Sequence, residues 1–284
     1  MPEHPGRVRS ALFTPGTDTA RLRKAAHAGA DICIFDLEDS VAPARIDEAR
    51  QTIAQAVPEL AEAARIWVRV HAASSPQMAA DLAAVPLQVV EGIVLPKVSG
   101  KDSLDLCRAG IAAVDGPGDL PLIAIVESAE GVLNCEEIAR ARAVFCLALG
   151  RFDLAADLGV DPDARTPALS AARAMVVLAS AAARRRPPLD SPWLKISDLD
   201  GLRGAAEQGR RDGFGGMLLI HPSHVAAANQ IFSPTKDEIA WARRIMAASG
   251  RAAAGGRGAF ASDGEMVDKA IVRRAHAILD NAEP

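Results

Sequence analysis

Two acidic residues supply the clearest chemistry in the sequence. Glu127 and Asp153 lie 26 residues apart, and each follows a short apolar run, in PLIAIVE and AVFCLALGRFD respectively. Successive parallel strands joined by a helix end at the same edge of a sheet, so we expect both carboxylates at one rim. There they could bind Mg²⁺ through one oxygen each. The alternative is structural: Glu127 would cap the next helix, and Asp153 would pair with Arg151.

A guanidinium and an acidic cluster follow two earlier apolar runs. Arg69 lies near the end of the run IWVRV, where it could clamp a substrate carboxylate and stabilise a developing enolate oxygen. A salt bridge from Arg69 to the acidic cluster in FDLED is the structural alternative, and the two roles are compatible. Within that cluster, Asp36 and Glu38 are expected to anchor the site residues from behind, whereas Asp39 could cap the following helix.

A third group of residues could bind a phosphorylated cofactor. Pro15 and Gly16 form a predicted turn in RSALFTPGTDTARLRKAA, just before a helix that carries Arg21. A turn of this kind, beside a helix N-terminus and basic side chains, is suited to binding phosphate groups. Lys97, which follows another apolar run in VLPKV, is assigned to the same cofactor. The segment contains no GxGxxG or GxxxxGK motif, and a solvent-exposed basic helix face is the alternative.

The elements that position these residues are predicted from eight apolar runs separated mostly by stretches with helical spacing. The runs are 10–13, 31–35, 66–70, 92–95, 122–126, 144–149, a weak one at 193–196, and 217–220. Continuous apolar runs indicate burial on both faces, and repeated strand–helix order indicates a parallel sheet. The count favours a TIM (β/α)₈ barrel over an open doubly wound sheet. We expect the catalytic barrel in residues 1–248, and a Gly-rich linker with a C-terminal helical lid in 249–284.

The composition argues against several classes of function. Apolar residues make up 49% of the chain and charged residues 24%, as in an ordinary folded domain. A net charge of −4 and few aromatic residues argue against a nucleic-acid partner. The sequence shows neither an apolar signal core nor an uncharged run of the roughly 18 residues that a membrane-spanning helix needs. We therefore expect a cytoplasmic protein without nucleic-acid or membrane partners, and its four cysteines in the core.

A family resemblance runs through nine segments, taken in chain order. They are RSALFTPG, FDLEDSV, WVRV, VLPKV, IVESAEGV, GRFDLAADLG, IHPSHV, FSPTKDEIAWA and DGEMVD. Together they resemble the citrate lyase β-subunit-like branch of the HpcH/HpaI aldolase and malyl-CoA lyase superfamily. The resemblance implies a TIM barrel that uses Mg²⁺ and a coenzyme A thioester substrate, and that assembles as a homo-oligomer, either a trimer or a hexamer.

The same resemblance implies roles for individual residues. Glu127 and Asp153 match the family's metal carboxylates, Glu127 also adjoins the substrate, and Arg69 matches the substrate-binding arginine. Asp268, in GEMVD, matches an acid/base aspartate on a C-terminal lid that can complete a neighbouring subunit's site.

Several positions depart from the family pattern. His71 stands in place of a common Asn, Met217 in place of a frequent Lys, and His224 in place of a frequent Gln, while Arg151 and Phe152 fill the GxxD motif unusually. These positions border the substrate and coenzyme A rather than the metal. The resemblance therefore implies a reaction class without fixing one substrate.

The implied reaction is reversible carbon–carbon cleavage of a 3-hydroxyacyl-CoA, such as malyl-, citramalyl- or citryl-CoA, into an acyl-CoA and a 2-oxo acid. Two other functions stay open. One is a metal aldolase that acts on a free 2-oxo acid without coenzyme A. The other is a partner-dependent β subunit of a citrate-lyase-type complex, which would present coenzyme A or an acyl carrier to other chains.

Overall fold

Eight parallel strands close into a barrel in the computed structural model, which describes residues 7–164, 166–254, 259–262 and 265–282. The strands are β1 (Ser10–Pro15), β2 (Ile32–Asp36), β3 (Ile66–Arg69), β4 (Gly92–Leu95), β5 (Leu122–Val126), β6 (Val144–Leu149), β7 (Leu189–Asp190) and β8 (Gly216–Leu219). Each strand pairs in parallel with the next, and β8 pairs with β1 to close the sheet. The predicted TIM barrel is confirmed.

Helices follow the strands in the order that a (β/α)₈ barrel requires. They are α1 (Thr19–Ala26), α2 (Ile46–Leu60), α3 (Met78–Ala84), α4 (Lys101–Ala113), α5 (Ala129–Leu133), α6 (Cys135–Arg140), α7 (Arg151–Leu158), α8 (Pro167–Ala182), α9 (Leu199–Asp212), α10 (Val225–Ile231), α11 (Lys236–Ala254) and α12 (Lys269–Asp280). Their ends have local causes: Asp18 caps α1, Thr166 caps α8 ahead of Pro167, and Gly213 ends α9 in the left-handed conformation. None of the helices in the described ranges is both long and apolar enough to cross a membrane.

Alternate residues of the strands fill the barrel interior. This apolar cluster includes Ala11, Ile32, Ile34, Trp67, Val94, Ile123, Ile125, Cys146, Ala148, Leu189 and Leu218. Because strand side chains alternate between the two faces, the next inward positions towards the carboxyl ends of β2, β3 and β5 are Asp36, Arg69 and Glu127. The packing of the core thus directs three charged side chains to the C-terminal rim.

The seventh strand is the main error of the sequence prediction. It was expected at 193–196, but β7 is the two-residue strand Leu189–Asp190, which pairs with β6 and β8. Leu189 is buried in the barrel interior, whereas Leu194 and Ile196 are 50% and 47% exposed. The apolar residues at 193–196 belong to a surface loop. Prolines on both sides of β7 keep this strand short.

The C-terminal residues form a compact unit of their own. Arg7 and the residues from Ile231 onward group together. Within the unit, α11 packs on α12, and an antiparallel pair, β9 (Phe260–Ser262) and β10 (Glu265–Val267), lies between them in sequence. The predicted Gly-rich linker begins inside α11, which continues to Ala254, and its remainder, 255–258, lies outside the described residues. The division at 248 into barrel and lid stays a prediction.

The four cysteines are free and buried, which confirms their predicted place in the core. Burial raises the pKa of Cys33 to about 11 and those of Cys107 and Cys146 to about 12. These thiols stay protonated at neutral pH and are poor nucleophiles.

Candidate active site

The best-paired charges of the rim are Asp36 and Arg69, which face each other across β2 and β3. Arg69 Nε and Nη2 donate to the two Asp36 oxygens, each at 2.6 Å. Asp36 is fully buried and also accepts hydrogen bonds from the backbone N–H groups of Glu38 and Ser40. Burial alone would raise the pKa of Asp36, but Arg69 and these donors hold it below its usual value. Asp36 therefore holds the guanidinium of Arg69 in place, and its role as an anchor of the active site stays a prediction.

The third guanidinium nitrogen of Arg69 is bound less closely. Nη1 lies 3.3 Å from Glu38 Oε2 and 3.5 Å from Asp39 Oδ2. The guanidinium carbon lies 4.6 Å from the centre of the Phe13 ring. Burial alone would lower the pKa of Arg69, but the three carboxylates raise it, so the side chain stays charged. The predicted salt bridge is present, and Nη1 is the part of Arg69 best placed to contact a substrate.

Glu38 is a buried carboxylate with two unequal oxygens. Oε1 accepts a hydrogen bond of 2.6 Å from Lys97 Nζ. Oε2 accepts no hydrogen bond from any described residue. It forms an ion pair with Arg69 Nη1 at 3.3 Å, but the two groups are not aligned for a hydrogen bond. Burial raises the pKa of Glu38 despite the nearby Arg69 and Lys97. A donor could therefore be added at Oε2.

Lys97 connects Glu38 to the predicted metal carboxylate. Its backbone N–H donates to Glu127 Oε1 at 2.7 Å, while its ammonium group contacts Glu38 and lies 3.5 Å from Asp39. Its φ of 54° places this residue in the left-handed region, which is rare for a side chain of this size and concentrates at functional sites. The predicted role of Lys97 in cofactor binding stays a prediction, since its ammonium group is held by carboxylates.

Glu127 lies just beyond the end of β5 and is buried. Ser128, not Glu127, caps the following helix α5. Gly150, at the end of β6, makes room for Glu127: a Cβ atom at position 150 would lie 2.4 Å from Glu127 Oε2. The capping alternative for Glu127 is therefore wrong, and Gly150 is a contributor that the sequence prediction missed.

Asp153 is exposed in the first turn of α7. Its neighbour Arg151 pairs with Asp163 at 3.4 Å and donates to the Pro162 carbonyl oxygen, so it is not the partner that the structural alternative required. Burial, and then the negative charge of Asp153, raise the pKa of Glu127 to about 8. The two carboxylates thus repel each other, as expected of oxygens that bind a cation.

The donor set at this rim suits a hard cation with few protein ligands. Over the described ranges, no cluster of three or more His, Cys, Asp or Glu side chains is arranged to hold a metal ion. An ion between Glu127 and Asp153 would therefore take its other ligands from water or substrate, which is the habit of Mg²⁺.

The turn after β1 lies beside this rim. Gly16 N–H donates to the Asp36 carbonyl oxygen at 2.9 Å, and a Cβ atom at Gly16 would lie 2.7 Å from Ile53 Cδ1. Pro15 is the register partner of Asp36. Arg21 is exposed on α1, where it forms an ion pair of 3.3 Å with Asp18. Pro15 and Gly16 thus lie near the site, whereas phosphate binding by Pro15, Gly16 and Arg21 stays a prediction.

Asp268 belongs to the C-terminal unit. Its side chain caps α12 by accepting hydrogen bonds from the backbone N–H groups of Ala270 and Ile271. These two hydrogen bonds lower the pKa of Asp268. The carboxylate is exposed, and its predicted acid/base role stays a prediction.

Both of the unusual histidines, His71 and His224, have structural partners. His71 Nδ1 lies 2.7 Å from Oδ2 of Asp81, a fully buried carboxylate that also accepts hydrogen bonds from Arg50. His224 is buried, and its Nε2 lies 3.0 Å from the carbonyl oxygen of Ile196. The sequence prediction missed Asp81, because nothing in the letters of α3 distinguishes it from a surface aspartate.

A cavity of about 660 Å³ is lined mainly by α8, α9 and the loop after β7. Its lining includes Arg151 but neither Arg69 nor Glu127. The charged rim, rather than cavity size, therefore locates the candidate site.

A closed (β/α)₈ barrel with acidic and basic side chains gathered at the carboxyl ends of its strands has the architecture of a TIM-barrel enzyme. Residues 9–222 match the model of the HpcH/HpaI aldolase/citrate lyase family, and the chain belongs to that family. The family resemblance is confirmed.

Similar proteins align over nearly the whole chain. A (3S)-malyl-CoA thioesterase of Cereibacter sphaeroides is 35% identical over 281 residues, which cover 99% of this chain and 95% of the relative. An L-malyl-CoA/beta-methylmalyl-CoA lyase of Rhodobacter capsulatus is 31% identical and covers 100% and 97%. The crystal structure of CitE from Mycobacterium tuberculosis, in complex with magnesium, acetoacetate and coenzyme A, has a TM-score of 0.79 and 32% identity, covering 98% of this chain and 99% of that chain.

Proposed function

We propose that this protein is a Mg²⁺-dependent carbon–carbon lyase that cleaves or forms a 3-hydroxyacyl-CoA, such as malyl-, citramalyl- or citryl-CoA. The products of cleavage are an acyl-CoA and a 2-oxo acid. One observation carries the proposal: the rim holds a charged guanidinium beside two carboxylates that repel each other. Two similar proteins support it: one relative is named as a malyl-CoA lyase, and CitE was crystallised with magnesium, acetoacetate and coenzyme A.

Glu127 and Asp153 would hold the metal, since they offer two carboxylates at one rim, and neither forms a salt bridge with the residues that the structure describes. When bound, Mg²⁺ would supply positive charge that stabilises the oxyanions of the 2-oxo acid. Arg69 Nη1 would bind a substrate oxygen, because Nε and one N–H of Nη2 are engaged by Asp36 at 2.6 Å, while Nη1 has only a hydrogen bond of 3.5 Å to Asp39. Glu127 would adjoin the substrate while binding the metal.

The coenzyme A group would bind next to the turn after β1. Pro15 and Gly16 lie beside the end of β2, and Arg21 and Lys97 add positive charge for phosphate groups. Lys97 would take this role only in addition to its contact with Glu38. Replacing Arg21 with Ala should raise the KM for the thioester without lowering kcat, whereas a fall in kcat alone would contradict the assignment.

Asp268 would exchange a proton with the enolate carbon of the acyl-CoA, from a neighbouring subunit of a trimer or hexamer. Asp268→Asn should then lower turnover while leaving Mg²⁺ affinity unchanged. Truncation after Ala248 should also abolish turnover, and full activity of the truncated chain would remove Asp268 from the site. Light scattering of the full chain tests the oligomeric state, which a monomeric mass would overturn.

The direct test uses purified protein with Mg²⁺ and a panel of malyl-, citramalyl- and citryl-CoA, followed by mass spectrometry with and without EDTA. Release of an acyl-CoA and a 2-oxo acid that stops in EDTA is the expected result. If nothing in the panel turns over, the partner-dependent subunit or the aldolase that works without coenzyme A replaces the lyase.

A second candidate function is thioester hydrolysis, because the relative from Cereibacter sphaeroides is named a thioesterase. The same assay separates the two reactions through their products. Hydrolysis of malyl-CoA yields malate and free coenzyme A, whereas cleavage yields acetyl-CoA and glyoxylate. Malate without acetyl-CoA would therefore favour the thioesterase.

A further inference from the structure

Arg69 determines where a substrate oxygen can lie. Its Nε and one N–H of Nη2 donate to Asp36 at 2.6 Å each, whereas the hydrogen bond of Nη1 to Asp39 is 3.5 Å long, so Nη1 is the guanidinium nitrogen held most weakly and best able to donate to a substrate. Nη1 lies 3.3 Å from Glu38 Oε2. A substrate oxygen that accepts a hydrogen bond from Nη1 will therefore lie beside Glu38 Oε2.

Glu38 Oε2 is a buried acceptor without a donor, and it can therefore accept a proton from the substrate. The side chain is 6% exposed, and this oxygen accepts no hydrogen bond from the described residues. Buried carboxylate oxygens normally have donors, and an exception calls for an explanation. Lys97 Nζ holds the other oxygen at 2.6 Å and thereby fixes the orientation of the carboxylate. A hydroxyl group of the substrate is a donor of the required kind.

The other rim carboxylates are less suitable for this role. Asp36 already accepts hydrogen bonds from Arg69 and from two backbone N–H groups. Glu127 is assigned to the metal. Asp39 has a side chain that is 53% exposed, so water competes for its oxygens.

We propose that Glu38 is a catalytic residue: the base that accepts the proton of the substrate's 3-hydroxyl group during cleavage and returns it during condensation. This inference rests on the proposed lyase function and differs from the anchoring role expected from the sequence. Burial, which raises the pKa of Glu38, also suits a group that must return the proton.

Cleavage moves two electron pairs and two protons. The hydroxyl O–H electron pair becomes the second bond of the new carbonyl group as the bond between C2 and C3 breaks. The electron pair of that bond passes into the thioester as an enolate, which takes a proton at C2 from Asp268. The products are an acyl-CoA and a 2-oxo acid. The proton taken up by Glu38 leaves to solvent, and Asp268 regains one proton from solvent, so both side chains return to their starting state.

The test separates proton transfer at the hydroxyl group from proton transfer at carbon. Glu38→Gln keeps the shape of the side chain and an oxygen for Lys97, but it removes the base. We expect kcat for cleavage to fall on the order of 100-fold or more. Deuterium exchange at the methyl group of acetyl-CoA, measured in D₂O with Mg²⁺ and oxamate as a non-condensing analogue, should stay within about threefold, because no hydroxyl proton moves.

Asp39→Asn is the matched control, since Asp39 also lies near both Arg69 Nη1 and Lys97 Nζ. It removes the same charge and should leave cleavage within about threefold. Glu38→Asp covers the possibility that Glu38→Gln does not fold. It keeps the negative charge and withdraws the oxygen by one methylene group, so cleavage should fall about 10- to 100-fold while exchange persists.

Each contrary outcome has a separate meaning. If Glu38→Gln retains cleavage, or loses exchange and cleavage equally, Glu38 is not the base although the lyase function stands. If the unmodified protein cleaves none of the thioesters, the proposed function fails and this inference fails with it.

Discussion

Asp36 and Glu127 are both buried carboxylates at the carboxyl ends of barrel strands, yet their surroundings shift their pKa values in opposite directions. Asp36 has Arg69 and two backbone donors, which hold its pKa low in spite of burial. Glu127 has one backbone donor and faces Asp153, so burial and repulsion raise its pKa to about 8. The charge of Asp36 is balanced by Arg69, whereas no salt bridge among the described residues balances that of Glu127.

The largest expected effect tests the balanced side of this comparison. Asp36→Asn should lower the free energy of unfolding by about 3–5 kcal/mol, because it leaves the buried Arg69 guanidinium without its main partner. Glu127→Gln is the control, since removing a charge that repels Asp153 should cost the metal-free protein little. Urea denaturation in EDTA measures both variants. Equal losses would show that the two carboxylates are structurally alike.

The second prediction tests the unbalanced side. Glu127→Gln should weaken Mg²⁺ binding and lower turnover on the order of 100-fold, because one of two anionic ligands is lost. Asp153→Asn should act in the same direction. Asp163→Asn, which alters an acidic partner of Arg151, is the control and should leave the calorimetric Mg²⁺ titration unchanged. A normal titration in Glu127→Gln would remove Glu127 from the metal site.

The raised pKa of Glu127 predicts a pH dependence with a definite sign. In the metal-free protein, the protonated carboxyl stabilises the fold at low pH, and this contribution is lost as pH rises from the ordinary value of 4.5 towards 8. Because Mg²⁺ needs the carboxylate, its dissociation constant should fall about tenfold per pH unit between roughly pH 6 and 8 and then level off. Calorimetry across this range measures it. Glu127→Gln should lose the dependence, and a flat profile in the unmodified protein would contradict the assignment.

Most of the barrel could be predicted because its strands are buried on both faces. β2 and β5 are buried at every position, so they give continuous apolar runs. β7 could not be found in this way, since a strand of two residues gives no run, and Trp193 and Ile196 supplied a false one nearby. Pairing with β6 and β8, which is a property of the closed sheet, determines its place.

The candidate site was predictable in its members but not in its connections. Glu127 follows an apolar run and Arg69 lies near the end of one, and that position alone marks them. The double contact of Lys97 depends on a left-handed backbone and on a side chain that reaches Glu38, 59 residues away in sequence. Local patterns do not encode such a contact. The space that Gly150 leaves for Glu127 is likewise visible only in three dimensions.

Gly150→Ala is the smallest change that should disturb the Glu127 side of the comparison. The backbone at Gly150, with φ of −95°, accepts alanine, so any effect must come from the added methyl group, which would lie 2.5 Å from Glu127 Cβ. Displacement of Glu127 should weaken Mg²⁺ binding about tenfold, in line with the 1–3 kcal/mol that overpacking usually costs. Gly204→Ala is the control, because an added Cβ atom there would meet no described heavy atom within 4 Å apart from its chain neighbours and the backbone of its own helix. Since the methyl group acts through Glu127, adding Gly150→Ala to Glu127→Gln should weaken Mg²⁺ binding no further, and additive losses would mean that it acts elsewhere.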